Sequence, residues 1–250
     1  MMGANLLLPL SGLVLAALAW AAGSVWLAGV TPIAASFAPL ETARALLALL
    51  QGAELWEHVA VSLERVAVGL GVALLLGIPL GVFTGLSPLF SRSTTPLFQF
   101  ARMISPLSWM PLAVMVLGVG NAPVYFLLAF AAVWPILLNT AAGVAQLDKN
   151  WLLLARSLSA TRRETIVHVI LPGITAQILT GVRLAIGIIW IVLVPAEMLG
   201  VSAGLGYFIL DARDRLAYSD LMAAILVIGF LGYLLDHAAR TLHKRWLHAA

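Results

Sequence analysis

Forty-five consecutive residues, 103 to 147, carry no Asp, Glu, Lys, Arg or His. A transmembrane helix uses about 20 mainly apolar residues, so this run is too long for one crossing and too apolar for a water-facing surface. Gly118-Val119-Gly120-Asn121-Ala122-Pro123 interrupts it near the middle, and a tight turn there gives two antiparallel spans.

Composition agrees with that reading. Of 250 residues 62% are hydrophobic and 10% charged, against about 45 to 50% and about 25% in soluble domains. Mean hydropathy is +1.03. The chain therefore reads as an all-α integral membrane protein. Cysteine is absent, which excludes disulfides, thiolate metal sites and a cysteine nucleophile. The sequence pI near 9.7 accompanies a net charge of only +3 and no run of more than two adjacent basic residues. Basicity on that scale reports membrane orientation and not nucleic-acid binding.

Six spans account for the remaining uncharged stretches. The first 40 residues precede any charge, and Thr31-Pro32 limits a first span to about 6–30. A cleavable secretory signal is the competing reading, with Ala21-Ala22-Gly23 as the cleavage site, but Met1 to Asn5 hold no basic residue and a retained helix is expected. Residues 66–91 give a second span, and 103–147 the hairpin of spans three and four. A fifth runs from Pro172 to about Leu199, and a sixth covers about Leu221 to Leu235. One set of connections holds Arg92, Arg102, Lys149, Arg156, Arg162, Arg163, Arg240, Lys244 and Arg245; the other holds Arg44, Arg213 and Arg215. Nine against three puts both termini in the cytoplasm.

The longest cytoplasmic connection, about 143–172, has a pattern of its own. Leu147, Trp151, Leu154 and Leu158 are spaced by 4, 3 and 4, so a helix aligns them in one stripe. Thr161-Arg162-Arg163-Glu164 fits a capping box that starts a second helix. Periodicity leaves two readings open for the first helix: lying on lipid headgroups, or presented to a groove on a cytoplasmic partner.

Five motifs in order resemble the permeases of binding-protein-dependent ABC importers. Their cytoplasmic loop carries E-A-A, three residues, Gly, nine residues and I-x-L-P. Here those positions are Leu153-Leu154-Ala155, Ser159 and Val169-Ile170-Leu171-Pro172. The branch importing nitrate, bicarbonate, taurine and alkanesulfonates is resembled further. Arg102-Met103-Ile104-Ser105-Pro106-Leu107-Ser108-Trp109-Met110-Pro111-Leu112 looks like its R-P-x-P-P-L-A-W-x-P-L. Gly181-Val182-Arg183-Leu184-Ala185-Ile186-Gly187, Ala196-Glu197-Met198 and Gly204-Leu205-Gly206-Tyr207 resemble its G-x-R-x-A-x-G, A-E-hydrophobic and G-x-G-aromatic segments.

The resemblance implies a type I importer permease fold over 1–250, with a first helix at about 6–30 and core helices at about 60–237. It implies a homodimer in the inner membrane, two cytoplasmic ABC ATPase subunits that bind ATP and Mg, and an extracytoplasmic solute-binding protein. Asn150, Trp151, Leu154, Ala155, Arg156, Leu158, Ser159 and Ala160 are then expected to form the coupling helix seated in the ATPase. No G-x-x-x-x-G-K-[ST] occurs in the chain, so it is expected to hydrolyse no ATP and to carry neither cofactor nor metal.

Charged and polar groups at membrane depth are the candidates for the translocation path. Arg183 is placed to line it and favour an anion, or to make a structural ion pair. Glu197 is expected near the outer surface in a salt bridge or a gating role. Ser105, Ser108 and Asn139 face the bundle interior, with helix–helix hydrogen bonding as the alternative. Arg102 is expected to snorkel at the cytoplasmic face. Asp211, Arg213, Asp214 and Arg215 form the expected docking surface for the binding protein, or solvated loop charge. A secondary transporter or channel without an ATPase is the competing class; it would show inverted repeats, and none is evident.

Overall fold

The computed structural model describes residues 4–249. The helices are α1 (Ala4–Ala28), α2 (Pro39–Gln51), α3 (Ala53–Leu86), α4 (Pro88–Met103), α5 (Met110–Leu117), α6 (Asn121–Gln146), α7 (Lys149–Ser157), α8 (Arg162–Glu164), α9 (Leu171–Gly173), α10 (Thr175–Glu197), α11 (Leu205–Asp214) and α12 (Tyr218–Ala249). Two 3₁₀ turns, Pro32–Phe37 and Pro106–Trp109, and a π-helical segment, Thr165–Ile170, complete the described elements. Side chains of 4–10 and most of 242–249, including Arg245 and His248 of the basic tail, lie outside the described residues.

Among the described residues five helices are long and apolar enough to cross a membrane, and α4 joined to Pro106–Leu117 makes a sixth candidate bent by 87°. Boundaries differ from the sequence expectation where caps intervene. The second span starts earlier and stops at Leu86, because Ser87 caps α4 by accepting a hydrogen bond from the Phe90 amide and Pro88 opens that helix. The sixth runs from Tyr218 to Ala249, past the expected Leu235, since no Gly or Pro follows Gly232 to stop it.

The chain divides into two compact units, 1–60 with 203–230 and 61–202 with 231–250. In the first, α1, the Pro32–Phe37 turn and α2 pack together. The Trp20 indole donates to the Phe37 carbonyl at 2.9 Å, and Phe37 meets Tyr218 edge-on.

The second unit is built on α6. Against it packs α10, with Leu127, Leu128, Ile136, Ile189 and Leu193 fully buried. On another side lies α3, which approaches through Gly69, Gly77, Gly81 and Gly85. A Cβ on each would stand 2.5 to 2.9 Å from a side-chain atom of Leu128, Ile136, Thr140 or Val144. Helices in lipid gain little from hydrophobic exclusion and associate by close contact, which such small residues permit.

These contacts fix a register along α6. Gly85 lies at Val144 and Gly69 at Leu128. The chain then reverses: Phe90 of α4 packs on Phe83, Phe98 lies 6.0 Å from Trp134, and Trp109 lies 5.6 Å from Phe130. Finally the Gly120 amide donates to Gly200 at the start of α6. Residues 88–120 thus progress from one end of α6 to the other as one broken crossing. Its turn into α6 uses positive φ at Gly118 (80°) and Gly120 (125°), conformations that glycine adopts without steric cost.

Candidate functional site

Two polar constructions occupy opposite ends of α6. At its N-terminal end, residues from α3, α6 and α10 meet around a buried ion pair. Arg65 Nη1 lies 2.7 Å from Glu197 Oε1, the side chains being 2% and 0% exposed. Ser62 Oγ lies 2.8 and 2.9 Å from the two carboxylate oxygens. Arg65 Nε and Nη2 donate together to Asn121 Oδ1 at 3.1 and 2.7 Å. A buried pair persists only when its desolvation is offset by such additional hydrogen bonds. Ser62 and Arg65 are three apart on α3, hence on one face, while Asn121 is positioned by the Gly118–Gly120 turn.

Glu197, expected at the outer end of its span in a salt bridge or a gating role, is the last residue of α10, and its carboxylate is wholly enclosed in a salt bridge. Its partners Ser62 and Arg65, and the Asn121 that Arg65 also binds, escape sequence reasoning, because separations of 135, 132 and 56 residues leave no local signal. Arg183 sits on the same helix, 44% exposed, and pairs with Asp236 of α12 at 3.4 Å, the structural alternative of its two readings. Asp236 also binds Arg240.

The other expected path residues separate. Asn139 turns back on its own helix and donates to the Pro135 carbonyl at 2.8 Å. Ser105 and Ser108 are exposed at the break in the third crossing. Arg102, in the last turn of α4, is a correction. It is not in a cytoplasmic connection, since Phe98 one turn earlier stands at Trp134, halfway along α6.

At the C-terminal end of α6 lies the connection of amphipathic helices. Asp148 caps α7 by accepting from the Asn150 amide at 2.9 Å. The expected stripe forms, and it divides. Leu147 and the edge of Trp151 lie where a Cβ on Gly173 would meet them, at 2.7 and 3.5 Å, and Ala155 is buried. The outer parts remain open, with Trp151, Leu154 and Leu158 exposed by 53, 61 and 74%. Together with Val169 and Pro172 they border a groove of about 440 Å³. Asn150, Arg156 and Ser159 are also exposed, Ala160 half-buried.

The capping box is present in full: Glu164 Oε2 accepts from the Thr161 amide at 2.7 Å, and the Glu164 amide donates to Thr161 Oγ1 at 3.3 Å. Those bonds from the Thr161 backbone and side chain hold the Glu164 carboxyl below its ordinary value. After it the helix widens into π geometry over Thr165–Ile170. Pro172 lacks the N–H that the His168 carbonyl would accept.

In the first unit, the charges on α11 neutralise one another. Arg213 pairs with Asp214 at 2.8 Å, and Arg215 with Asp211 and, at 3.1 Å, with Glu54. His58 Nδ1 accepts from the Gly204 amide at 3.0 Å and packs on Phe208. Among the described residues no three His, Asp or Glu come together to hold a metal.

Residues 77–248 match the family of binding-protein-dependent transport system inner membrane components. The bicarbonate transport system permease protein CmpB of Synechococcus elongatus is 39% identical over 194 residues, 77% of this chain and 69% of that protein. The nitrate import permease protein NrtB of Leptolyngbya laminosa is 37% identical over 73% of this chain and 65% of its own length. For the taurine transport system permease protein TauC of Escherichia coli the values are 36%, 77% and 70%. An inward-facing structure of the MetNI methionine ABC transporter superposes with a TM-score of 0.63 at 16% identity, covering 79% of this chain and 96% of that one, so the fold is shared. With six candidate spans, the matched family and these relatives together, the chain belongs to the binding-protein-dependent transport system inner membrane components, as a permease subunit of an ABC importer.

Proposed function

We propose that two copies of this chain form the translocation path of an ATP-driven importer for a small anion of the bicarbonate, nitrate or sulfonate type. The solute is released from an extracytoplasmic binding protein. Relatives named for bicarbonate, nitrate and taurine transport support the solute class. ATP and Mg belong to two partner ATPases beneath the membrane, and both termini of this chain are cytoplasmic.

The observation that carries the reading is the exposed edge of α7. Trp151, Leu154 and Leu158 present apolar surface on a helix fixed to its own chain through Ala155, Leu147 and the close approach at Gly173. Such a rigid helix with an uncovered apolar stripe fits a groove on a partner. Asn150, Arg156, Ser159 and Ala160 edge the same contact. When ATP closes the ATPase pair, a seated helix carries the displacement into α6 and α10, the two spans it joins.

At the other end, Glu197 locks α10 to α3 and α6. In the first unit, Asp211, Arg213, Asp214 and Arg215 supply the charged face offered to the binding protein. Ser105 and Ser108 lie on the path. Arg183 holds α10 to α12 through Asp236, and Asn139 stays bonded within α6.

Co-purification from native membranes with this chain as bait tests the reading. The wild type should retain an ATPase subunit and Trp151→Asp and Leu154→Asp should lose it, with the variant chains still folded in the membrane. Solute transport by the isolated chain without ATP would replace this reading with a secondary transporter.

A further inference from the structure

The third crossing breaks in its middle, and a cation stands at the break. Trp134 lies 13 residues from the start of α6 and 12 from its end, and Phe98 packs against it at 6.0 Å. Arg102 follows Phe98 by one turn on the same side of α4. The next aromatic anchor, Trp109, meets Phe130, so Arg102 is bracketed between two mid-depth contacts. From there a headgroup region is about 15 Å away, half of a hydrocarbon core of about 30 Å, too far for snorkelling.

Arg102 is exposed and has no salt-bridging carboxylate among the described residues, whereas Arg65 pairs with Glu197 and Arg183 with Asp236. An uncompensated guanidinium facing hydrocarbon is costly. The exposed side of α4 at this depth must therefore meet water or a charge. Immediately beyond it the helix stops at Ile104, and Ser105 and Ser108 are exposed with no capping hydrogen bond from Ser105. Discontinuous spans of this kind supply polar groups at the midplane of transporters.

We propose that Arg102, with the Ser105 and Ser108 hydroxyls, is the anion-contacting site of the translocation path. The planar guanidinium offers two parallel N–H donors to the oxygen pair of a carboxylate-like, nitrate or sulfonate group. The serines offer single donors to a further oxygen. This assignment rests on the anion-importer reading and names its site.

The test uses the assembled transporter with its ATPase subunits and binding protein in proteoliposomes, with labelled bicarbonate, nitrate and taurine as probes. Arg102→Gln should lower ATP-dependent uptake of the transported anion by about tenfold or more, while binding-protein-stimulated ATP hydrolysis persists. Arg102→Lys should fall between, since it keeps charge and loses the fork. Undiminished uptake by Arg102→Gln overturns the site alone. Failure of the wild type to move any of the three anions removes the anion reading, and the site with it.

A second arm does not depend on transport. The chain has no cysteine, so Arg102→Cys introduces a single thiol. A membrane-impermeant, negatively charged methanethiosulfonate should modify it, and the transported anion should slow the reaction. No modification, with or without ATP, places the position in lipid or protein and overturns the proposal.

Discussion

The Arg65 guanidinium and the Glu197 carboxylate, 132 residues apart, meet at 2.7 Å with both side chains almost fully buried. Their union joins α3 to α10, and Asn121 draws in the first residue of α6. Three spans are therefore tied at the end remote from α7.

Removing one member should cost far more than removing both. Glu197→Gln leaves a buried guanidinium without its counter-charge, a loss of about 3 to 5 kcal/mol for pairs of this kind. Arg65→Met strands the carboxylate equally. The double variant Arg65→Met/Glu197→Leu restores an apolar junction and should lose less than the sum of its parts. Thermal unfolding of the purified transporter in detergent, read as a double-mutant cycle, measures the coupling. Additive losses would show that the pair contributes no interaction of its own.

The glycine face of α3 gives opposite outcomes at two positions ten residues apart. A Cβ at Gly81 would stand 2.6 Å from Thr140 Cβ and 2.7 Å from the Leu137 carbonyl, while one at Gly71 meets nothing within 4 Å. Gly81→Ala forces α3 off α6 and should destabilise by about 1 to 3 kcal/mol or more. Gly71→Ala should be neutral or stabilising by up to about 1 kcal/mol. Melting temperatures of the two variants in one detergent decide it, and similar shifts for both would refute the close-approach argument.

Acidification should act on the start of α8. The folded Glu164 carboxyl is held below its ordinary value by the Thr161 amide and hydroxyl, so the capping box favours the folded turn above the ordinary glutamate range. Its contribution is lost as pH falls through the lowered value. Hydrogen exchange of residues 161–170, corrected for intrinsic rates, should rise on acidification in the wild type. Glu164→Gln, which has no such titration, should show a flatter dependence. An identical profile in both would mean that the box does not govern this segment.

What the sequence made legible follows from distance along the chain. The Trp151, Leu154, Leu158 stripe and the Thr161–Glu164 box are local patterns, visible because helix geometry and capping act within a few residues. The Gly118–Pro123 break is legible for the same reason. Glu197 stands out as a carboxylate in an apolar run, yet nothing local says that Arg65 meets it. Arg102 was misplaced because the positive-inside count treats a charge between two apolar runs as a loop residue. Only the Phe98–Trp134 and Trp109–Phe130 contacts reveal that α4 already lies within the crossing. The spacing of Gly69, Gly77, Gly81 and Gly85 is present in the sequence, but its meaning requires knowing that α6 is the partner.

Ser159 occupies the position where the family loop carries glycine, and the backbone there keeps the conformation that glycine serves. Its φ is 56°, left-handed, and it ends α7 in a Schellman arrangement. The Ala160 amide donates to the Ala155 carbonyl, and the Ser159 amide to that of Arg156, each at 3.0 Å. A non-glycine residue in this region carries a steric cost of about 1 to 2 kcal/mol, so Ser159→Gly should stabilise the turn by about 1 kcal/mol. Ser159→Val, branched at Cβ, should open it. Slower exchange of the Ala160 amide in Ser159→Gly and faster exchange in Ser159→Val are the expected readings. Because the turn sets the angle between α7 and the helix leading to α10, Ser159→Val should also weaken ATPase retention, although Trp151 and Leu154 remain in place. Retention unaffected by Ser159→Val, with the turn shown to be open, would separate the stripe from its support and leave α7 free to engage its partner in more than one orientation.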